Sequence, residues 1–193
     1  MIMKKKNIGS VFALYPTPAG VVGTIDDNEK LNWMLMGHLG IITHKLLSVS
    51  LHHTHLSTET AIKTKRLSLN LVNDTMLQRA DYVGIVSGKR VDKSQLFPWH
   101  KGEGGTPIID EADLTMELEV VDDYEAEGFH NLICKITNTY INPDMIDEKG
   151  KIDYTKLKPI LFEMPTYKYL RTGEIVGDCL KLGKELKETL NNE

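Results

Sequence analysis

Cysteine is scarce in this chain, with only Cys134 and Cys179 among its 193 residues. This count excludes the disulfide framework that holds many small secreted domains together, and Cys134, within the apolar run NLICKIT, is expected to be a small buried hydrophobe. Long hydrophobic runs are also absent. The longest largely apolar window, Leu31 to Thr43, contains Asn32 and His38 and falls short of the ~18 residues that cross a bilayer. We therefore expect a cytoplasmic chain with no membrane segment.

The chain also lacks a sustained basic face and a dinucleotide fingerprint. Its formal net charge is -4, which argues against general nucleic-acid binding because phosphate neutralisation requires clustered Lys and Arg. No G-x-G-x-x-G follows a strand-like segment, so a Rossmann site is not supported. Pro16 and Pro18 interrupt the apolar stretch near the N-terminus, so no secretory leader is expected. No repeat or linker divides the sequence, and we predict a single domain over residues 1–193.

Alternating apolar and polar residues are the dominant pattern and predict β-strands. Within the segment LTMELEVVDDYE, Glu117 and Glu119 are expected on the solvent face of the strand, opposite Met116, Leu118 and Val120. Strands at short spacing with few long helices favour a closed or partly closed antiparallel barrel over a parallel α/β sheet. The predicted strand segments are LNWMLMG, LLSVSL, LSLNLV, LTMELEVVDDYE and FHNLICKITNTYI.

Three helices are expected at the periphery of the sheet. Ser57 or Thr58 can cap a short helix that runs through Lys65. Asp74 can cap a second helix that reaches about residue 82, and residues 177–190 carry a 3.6-residue apolar period. We therefore expect the sheet to form the core of the fold and the three short helices to pack at its periphery.

The stretch SVSLHHTHLS, residues 48–57, ends a predicted strand in a turn with three histidines and several hydroxyls, just before a helix. A helix N-terminus offers unpaired N–H groups and partial positive charge, so this turn suits a phosphate. Metal binding by His52, His53 and His55 is a competing interpretation, and a solvated polar turn is another. Neighbouring strand residues face opposite ways, so we do not expect His52 and His53 to converge, and we predict no metal.

A second polar segment, DYVGIVSGKRVDKS, spans Asp81 to Ser94. Gly84 and Gly88 allow the backbone to approach a ligand closely, and Asp92 beside Lys93 supplies a charge pair. The SGK triplet alone is a weak pattern. It becomes specific in combination with the SVSL strand and the histidine-rich turn, in this order and spacing.

Together these segments resemble the flavin reductase-like family that includes flavoredoxin. The resemblance runs from about residue 9 to 183 and implies a mainly β, antiparallel FMN-binding split barrel with peripheral helices. It also implies FMN as the cofactor and NAD(P)H as the electron donor. The matching segments are LNWMLMGHLGIITH followed by LLSVSL, THLSTETA leading to LSLNLV, DYVGIVSGKRVDKS, and IDYTKLKPILFEMPTYKYL.

The FMN contacts implied by the resemblance lie in a strand along the flavin ring, a strand beside the ribityl chain with its phosphate turn, and the SGK loop. In chain order they are Asn32, Trp33, Met34, Leu35, Ser48, Val49, Ser50, His55, Ser57, Ser87, Gly88 and Lys93. The first four are expected beside the ring and the next three beside the ribityl chain. His55 and Ser57 are expected at the phosphate, and the last three at the ring edge or the phosphate end.

Two of these positions depart from the family pattern. Many members carry threonine where Leu35 stands, so ring contacts there have to come from the main chain. Many carry arginine where His55 stands, and a histidine titrates near neutral pH, so phosphate affinity is expected to fall as pH rises. FMN binding is expected to be weaker as a result.

Lys93 is the candidate for tuning the flavin, because a positive group near the ring raises its reduction potential. The alternative is an exposed lysine paired with Asp92. Trp33 and Met34 are equally explained as core residues, in which case the backbone N–H groups of this strand supply the contacts. No catalytic acid is assigned, because hydride transfer to a flavin requires orientation rather than a protein acid.

The resemblance implies a homodimer in which the second subunit completes the flavin site. The expected activity is NAD(P)H-dependent reduction of bound FMN, with electrons passed to a free flavin, a partner protein or a small acceptor. Two alternatives stay open: a non-catalytic FMN electron carrier and a flavin-free interaction barrel. The sequence does not separate NADH from NADPH, because no arginine cluster or ribose-binding acid can be placed.

Overall fold

The computed structural model describes residues 5–191, so residues 1–4 and 192–193 of the predicted domain lie outside the described part. Antiparallel strands dominate this range and confirm the mainly β prediction. The strands are β1 (Thr17–Pro18), β2 (Gly20–Ile25), β3 (Leu31–Met36), β4 (Leu39–Ile41), β5 (Leu46–His52), β6 (Arg66–Leu71), β7 (Trp99–Lys101), β8 (Pro107–Ile109), β9 (Leu114–Ala126), β10 (Phe129–Ile141), β11 (Leu161–Glu163) and β12 (Lys168–Leu170). The helices are α1 (Leu56–Thr64), α2 (Leu77–Ile85) and α3 (Lys181–Asn191), with a 3-10 turn at Pro143–Met145.

Seven strands form the main sheet in the order β3-β2-β6-β9-β10-β5-β4. β9 and β10 are its longest members and pair through a tight turn in which Glu127 and Gly128 both have positive φ. Such a turn matches the twist of a two-residue hairpin. β3 and β4 are the edges of this sheet, and the chain passes directly from one to the other through Gly37 and His38. This passage places the two edges beside each other.

Two apolar clusters cover opposite faces of the sheet. One lies within the curve of the sheet beneath α1 and includes Val49, Leu51 and Leu132, all fully buried. The other lies between β2, β3 and α2, where Trp33 packs edge-on against Phe97 at 5.7 Å between ring centroids. Because alternate strand residues face opposite sides, β3 contributes to both clusters and carries few exposed side chains. Within residues 5–191 no helix is long and apolar enough to cross a membrane.

The expectation that Glu117 faces solvent is wrong. Glu119, two residues further along the same face of β9, is exposed, but the loop from Gly102 to Thr106 folds over Glu117 and buries it completely. The Glu117 carboxylate accepts hydrogen bonds from five donors. They are the backbone N–H groups of Gly104 (2.8 Å) and Thr106 (3.2 Å), the Thr106 hydroxyl (2.8 Å), Asn138 Nδ2 (2.7 Å) and the Tyr140 hydroxyl (3.0 Å).

The predicted helix starts also need correction. α1 begins after His55 with no side-chain cap, because the Ser57 hydroxyl accepts from Asn32 and the Thr58 hydroxyl donates to the His52 carbonyl. Both candidate caps are therefore engaged elsewhere.

The other two helices start later than the sequence suggests. α2 begins at Leu77, after a turn in which Asn73 Oδ1 accepts from the Met76 N–H, while Asp74 forms an ion pair with Arg171. α3 begins at Lys181 rather than at residue 177.

The Glu117 network predicts a pH-dependent contribution to stability. Burial alone would raise the pKa of Glu117, but the hydrogen bonds from Gly104, Asn138 and Thr106 outweigh it and hold the pKa below its ordinary value. The stabilisation is then fully present above the unfolded pKa of about 4.3 and is lost as pH falls through the lower folded pKa. We expect Glu117→Gln to reduce the free energy of unfolding at pH 7 by about 2 kcal/mol.

Chemical denaturation at pH 7 and at pH 4 measures this effect. The Gln variant should lose less stability than wild type between the two values. Glu119→Gln is the matched control, because Glu119 lies on the same strand face but is exposed, and it should change stability by no more than about 0.5 kcal/mol. Equal effects of the two substitutions would contradict a special role for Glu117.

Candidate functional site

A cavity of about 240 Å³ opens between β3, the start of α1 and the end of α2. Among its lining residues His55, Arg90 and Lys93 can carry positive charge, and no acidic side chain is among them, so we name it the basic cavity. Seven of the twelve predicted FMN contacts line it: Asn32, Met34, Leu35, His55, Ser87, Gly88 and Lys93. The remaining lining residues are Leu56, residues 83–86 and Arg90. The fold thus brings the predicted ring strand, the phosphate turn and the SGK loop together.

One wall of the basic cavity is the free edge of β3. β3 pairs only with β2, and in an antiparallel pair the backbone groups of alternate residues point toward the partner strand or away from it. The Trp33 carbonyl points away from β2, because it accepts from Lys93 Nζ. Leu35, two residues later, has the same orientation, so its N–H and carbonyl face the cavity edge. The main-chain contact expected at Leu35 therefore has suitable donors and acceptors.

Lys93 forms the floor of this cavity and is only 3% exposed. Its ammonium donates to the Trp33 carbonyl at 3.0 Å and to the Val83 carbonyl, in the last turn of α2, at 2.8 Å. Burial lowers the pKa of Lys93 to about 8. The alternative of an exposed lysine paired with Asp92 is wrong, because the Asp92 carboxylate instead accepts from the Ser94 N–H at 2.9 Å.

Three residues from separate elements meet at the cavity wall, with two of them lining the cavity. Asn32 Nδ2 donates to the buried Ser57 hydroxyl at 2.8 Å, and a Cβ added to Gly88 would lie 2.1 Å from Asn32 Oδ1. Position 88 therefore requires glycine, because any larger side chain would clash with the Asn32 amide. Ser57 does not line the cavity itself and supports Asn32 from behind.

The histidine turn differs from expectation in two respects. His52 and His53 do converge, with ring centroids 4.3 Å apart, because β5 ends at His52 and the extended geometry stops there. Burial, followed by the nearby charges of His52, Lys93 and Lys89, lowers the pKa of His55 from its ordinary value. His55 is thus mainly neutral at pH 7. In the described range 5–191, no three metal-ligating side chains are grouped to hold an ion.

The other predicted contacts lie elsewhere. Trp33 and Val49 are fully buried core residues, so only their backbones can reach a ligand. Ser48 and Ser50 line a second cavity of about 200 Å³, which we name the neutral cavity. Its lining residues are Phe12, Leu14, Thr17, Gly37, His38, Leu39, Ser48, Ser50, Phe162 and Met164.

Sequence reasoning missed several residues of the two cavities. Arg90 directly follows the SGK triplet, and its charge next to a predicted phosphate loop was a usable signal. Phe12 and Phe162 had no such signal, because they lie 150 residues apart in the sequence and come to line one cavity only in the folded structure.

Comparison with known proteins identifies the relatives of this chain. A family model described as a flavin reductase like domain matches residues 12–170. The structure of flavoredoxin from Methanosarcina acetivorans is 31% identical, covers 95% of this chain and 100% of its own, and has a TM-score of 0.88. Flavoredoxin of Desulfovibrio vulgaris (Miyazaki F) is 25% identical, with coverages of 93% and 100% and a TM-score of 0.85.

More distant similarity extends to an FMN-binding protein from Thermus thermophilus, at 22% identity, coverages of 92% and 98%, and a TM-score of 0.76. This likeness shows a shared fold. A comparison with curated protein sequences gives no match. The half-barrel sheet agrees with the split-barrel fold that the sequence resemblance implied. Because the family model covers most of the chain and the fold agrees with it, the chain belongs to the flavin reductase-like family.

Proposed function

We propose that this protein binds FMN at the basic cavity and reduces it with NAD(P)H, passing the electrons to a free flavin, a partner protein or a small acceptor. The observation that carries the proposal is the convergence of three predicted segments on one cavity with basic side chains and a free strand edge. A phosphate requires positive or N–H donors, and a flavin ring edge requires donors and acceptors in a fixed array.

The residues present fit FMN in kind. His55, Arg90 and the first turn of α1 offer donors to a phosphate, while the outward backbone groups of Leu35 and the Lys93 ammonium suit the polar edge of a flavin. The cavity, at about 240 Å³, is smaller than the ~300–1,000 Å³ of most ligand sites. Part of the cofactor would therefore lie outside it, and we propose that a second subunit of a homodimer covers that part. We place the protein in the cytoplasm.

When bound, FMN supplies the hydride and electron chemistry, and the protein supplies orientation and electrostatics. Lys93 is held by two carbonyls, so its charge stays at one place and needs no reorganisation when negative charge appears beside it. With a pKa of about 8, the ammonium is mostly protonated at pH 7 and loses its charge above pH 8. Leu35, packed against Gly84 of α2, excludes water from one side of the site.

A second candidate is a non-catalytic FMN electron carrier. It is favoured by the two structures of at least 25% identity named above, which are both called flavoredoxin. A carrier exchanges electrons with proteins and is not reduced by NAD(P)H at a useful rate. A flavin-free interaction barrel is separated from both by its failure to retain FMN.

Anaerobic mixing distinguishes these functions. We expect the FMN-loaded protein to lose its visible flavin absorbance on mixing with NADH or NADPH, at a rate on the order of 1 s⁻¹ or faster. Free FMN with the same nucleotide reports the uncatalysed rate. Bleaching by dithionite but by neither nucleotide would support the carrier, and a colourless protein after removal of unbound FMN would overturn both.

His55→Ala tests the phosphate end of the site. FMN affinity at pH 7 should fall about ten- to a hundredfold, the value of one hydrogen bond to a charged group, whereas riboflavin affinity should hardly change. The ratio of wild-type to variant FMN affinity should grow as pH falls, because protonated His55 attracts the phosphate more strongly. His53→Ala is the control, since His53 lies in the same turn but does not line the cavity. Equal losses for FMN and riboflavin would remove His55 from the phosphate.

The perturbed titration of Lys93 can be observed directly. In flavin-free protein with ¹³C-labelled lysine, one Cε resonance should titrate near pH 8 and should be absent from Lys93→Met. Addition of FMN should raise that pKa, because the anionic cofactor stabilises the charged ammonium. Lys89→Met is the control, since Lys89 pairs with Glu59 at the surface. If every lysine resonance titrated above pH 10, close to the ordinary lysine pKa of about 10.4, the burial of the Lys93 ammonium would be contradicted.

A further inference from the structure

The chain ends in a segment that extends away from the folded domain. We name residues 173–191 the C-terminal arm, and they lie beyond residues 12–170, which the family model matches. Every residue from 173 to 190 is exposed. Within the described part of the chain, no hydrogen bond joins this arm to residues 5–172. The last side chains to bond the domain are those of Arg171 and Thr172.

The C-terminal arm exposes much apolar surface. The helix α3 within it has 11 residues, and Leu182, Leu186 and Leu190 are spaced four apart on one of its faces. We name these three residues the leucine stripe. An isolated helix of this length is marginal in water, so α3 needs a surface to pack against. The large apolar side chains of the arm, each 58–97% exposed, are Ile175, Val176, Leu180, Leu182, Leu186 and Leu190.

An apolar groove is open elsewhere on the same chain. It has a volume of about 420 Å³ and is lined by residues 16–18 and by parts of β4, β5, β6 and β9. None of its lining residues is charged, and only Thr17 and Ser48 among them have polar side chains. Ile41, on the edge strand β4, lines the groove and is 87% exposed. Exposed apolar surface of this kind is typical of a protein interface.

The leucine stripe fits the apolar groove in character and in size. Both surfaces are uncharged, so packing one on the other leaves no buried charge without a partner. A cavity of about 150 Å³ holds benzene, which is about 25 Å³ per carbon. Three leucine side chains, with about twelve carbons, therefore need about 300 Å³. The groove can hold the whole stripe.

We propose that the C-terminal arm of one subunit packs its leucine stripe into the apolar groove of a second copy of this chain, which returns the same contact. Residues 173–180, when extended, span about 26 Å, so α3 can reach a neighbouring molecule. A single chain leaves both the arm and the groove uncovered. A two-fold axis between two copies covers both arms and both grooves at once.

The area buried by this exchange favours a second copy over an unrelated protein. Full burial of a leucine-sized side chain removes about 100 Å² of apolar surface, so the six side chains of one arm bury about 600 Å². With a similar loss in the groove, a one-way contact buries about 1,200 Å², at the lower limit of stable interfaces. Two reciprocal contacts bury about 2,400 Å², which is ample for a stable dimer.

Sedimentation velocity of the full chain, with and without FMN, tests the role of the arm. We expect a dimer at micromolar concentration. The double substitution Leu182→Ala with Leu186→Ala should weaken it at least about a hundredfold, because each dimer loses four buried side chains. Lys184→Ala with Lys187→Ala is the matched control on the other side of α3 and should leave the dimer unchanged. A monomeric wild type, or equal effects of the two pairs, would overturn the exchange.

Ile41→Asp tests the groove in the same measurement. Ile41 is exposed in the single chain, so the variant should fold, but a charge in the groove should prevent the dimer from forming. Val121→Asp is the control, because Val121 is 51% exposed on β9 and does not line the groove. A dimer that tolerates Ile41→Asp would show that the groove is not its contact surface.

Disulfide trapping identifies which chain fills the groove. Chains carrying Leu186→Cys and a tag are mixed with untagged chains carrying Ile41→Cys, both with Cys179→Ser, and are oxidised. We expect a disulfide between tagged and untagged chains, and several-fold less of it when Lys184→Cys replaces Leu186→Cys. A chain with both Ile41→Cys and Leu186→Cys should also cross-link to its partner. A disulfide closed within one chain would show that the arm fills its own groove, and that result or no cross-link would overturn the proposal.

The failure of this inference is distinguishable from that of the proposed function, because the exchange does not depend on FMN. A chain that exchanges its arms but does not retain FMN refutes the proposed function alone. A chain that retains FMN and is reduced by NAD(P)H without exchanging its arms refutes this inference alone.

Discussion

The candidate site depends on the two hydrogen bonds that the buried Lys93 ammonium donates. Its bonds to the Trp33 and Val83 carbonyls tie the free edge of the main sheet to the end of α2, and the basic cavity lies between these two elements. Burial of a charge is costly unless hydrogen bonds compensate for it, so the lysine both closes the floor of the cavity and keeps a positive charge there. Loss of this side chain would leave two carbonyls without a donor and the cavity without its central charge.

The open edge of the sheet provides a second constraint. A strand that pairs on one side only leaves alternate N–H and carbonyl groups unpaired, which is a liability unless something covers them. Here α2 and Lys93 cover part of β3, and the outward groups of Leu35 stay available at the basic cavity. The same edge continues through Gly37 into the neutral cavity, so the two cavities follow one another along a single piece of backbone.

Expectations from local patterns failed where distant parts of the chain intervene. Alternation correctly placed Glu117 and Glu119 on one face of β9, but it could not show that a loop near residue 104 covers only the first of them. Ser57 is a good helix cap by residue type, yet its hydroxyl is bound by Asn32, which is 25 residues away. Both the burial of Glu117 and the hydrogen bond of Ser57 depend on residues that are distant in the sequence.

The sequence by itself determined the strand segments, the mainly β architecture and the three segments that meet at the basic cavity, because alternation and turn residues act over a few neighbours. The tertiary structure alone decided that Lys93 is buried, that Ser48 and Ser50 face a separate cavity, and that Phe12 and Phe162 line that cavity together. These outcomes depend on which surfaces close over one another when the sheet curls. Burial and charge at a site are set by such long-range contacts, which no local pattern contains.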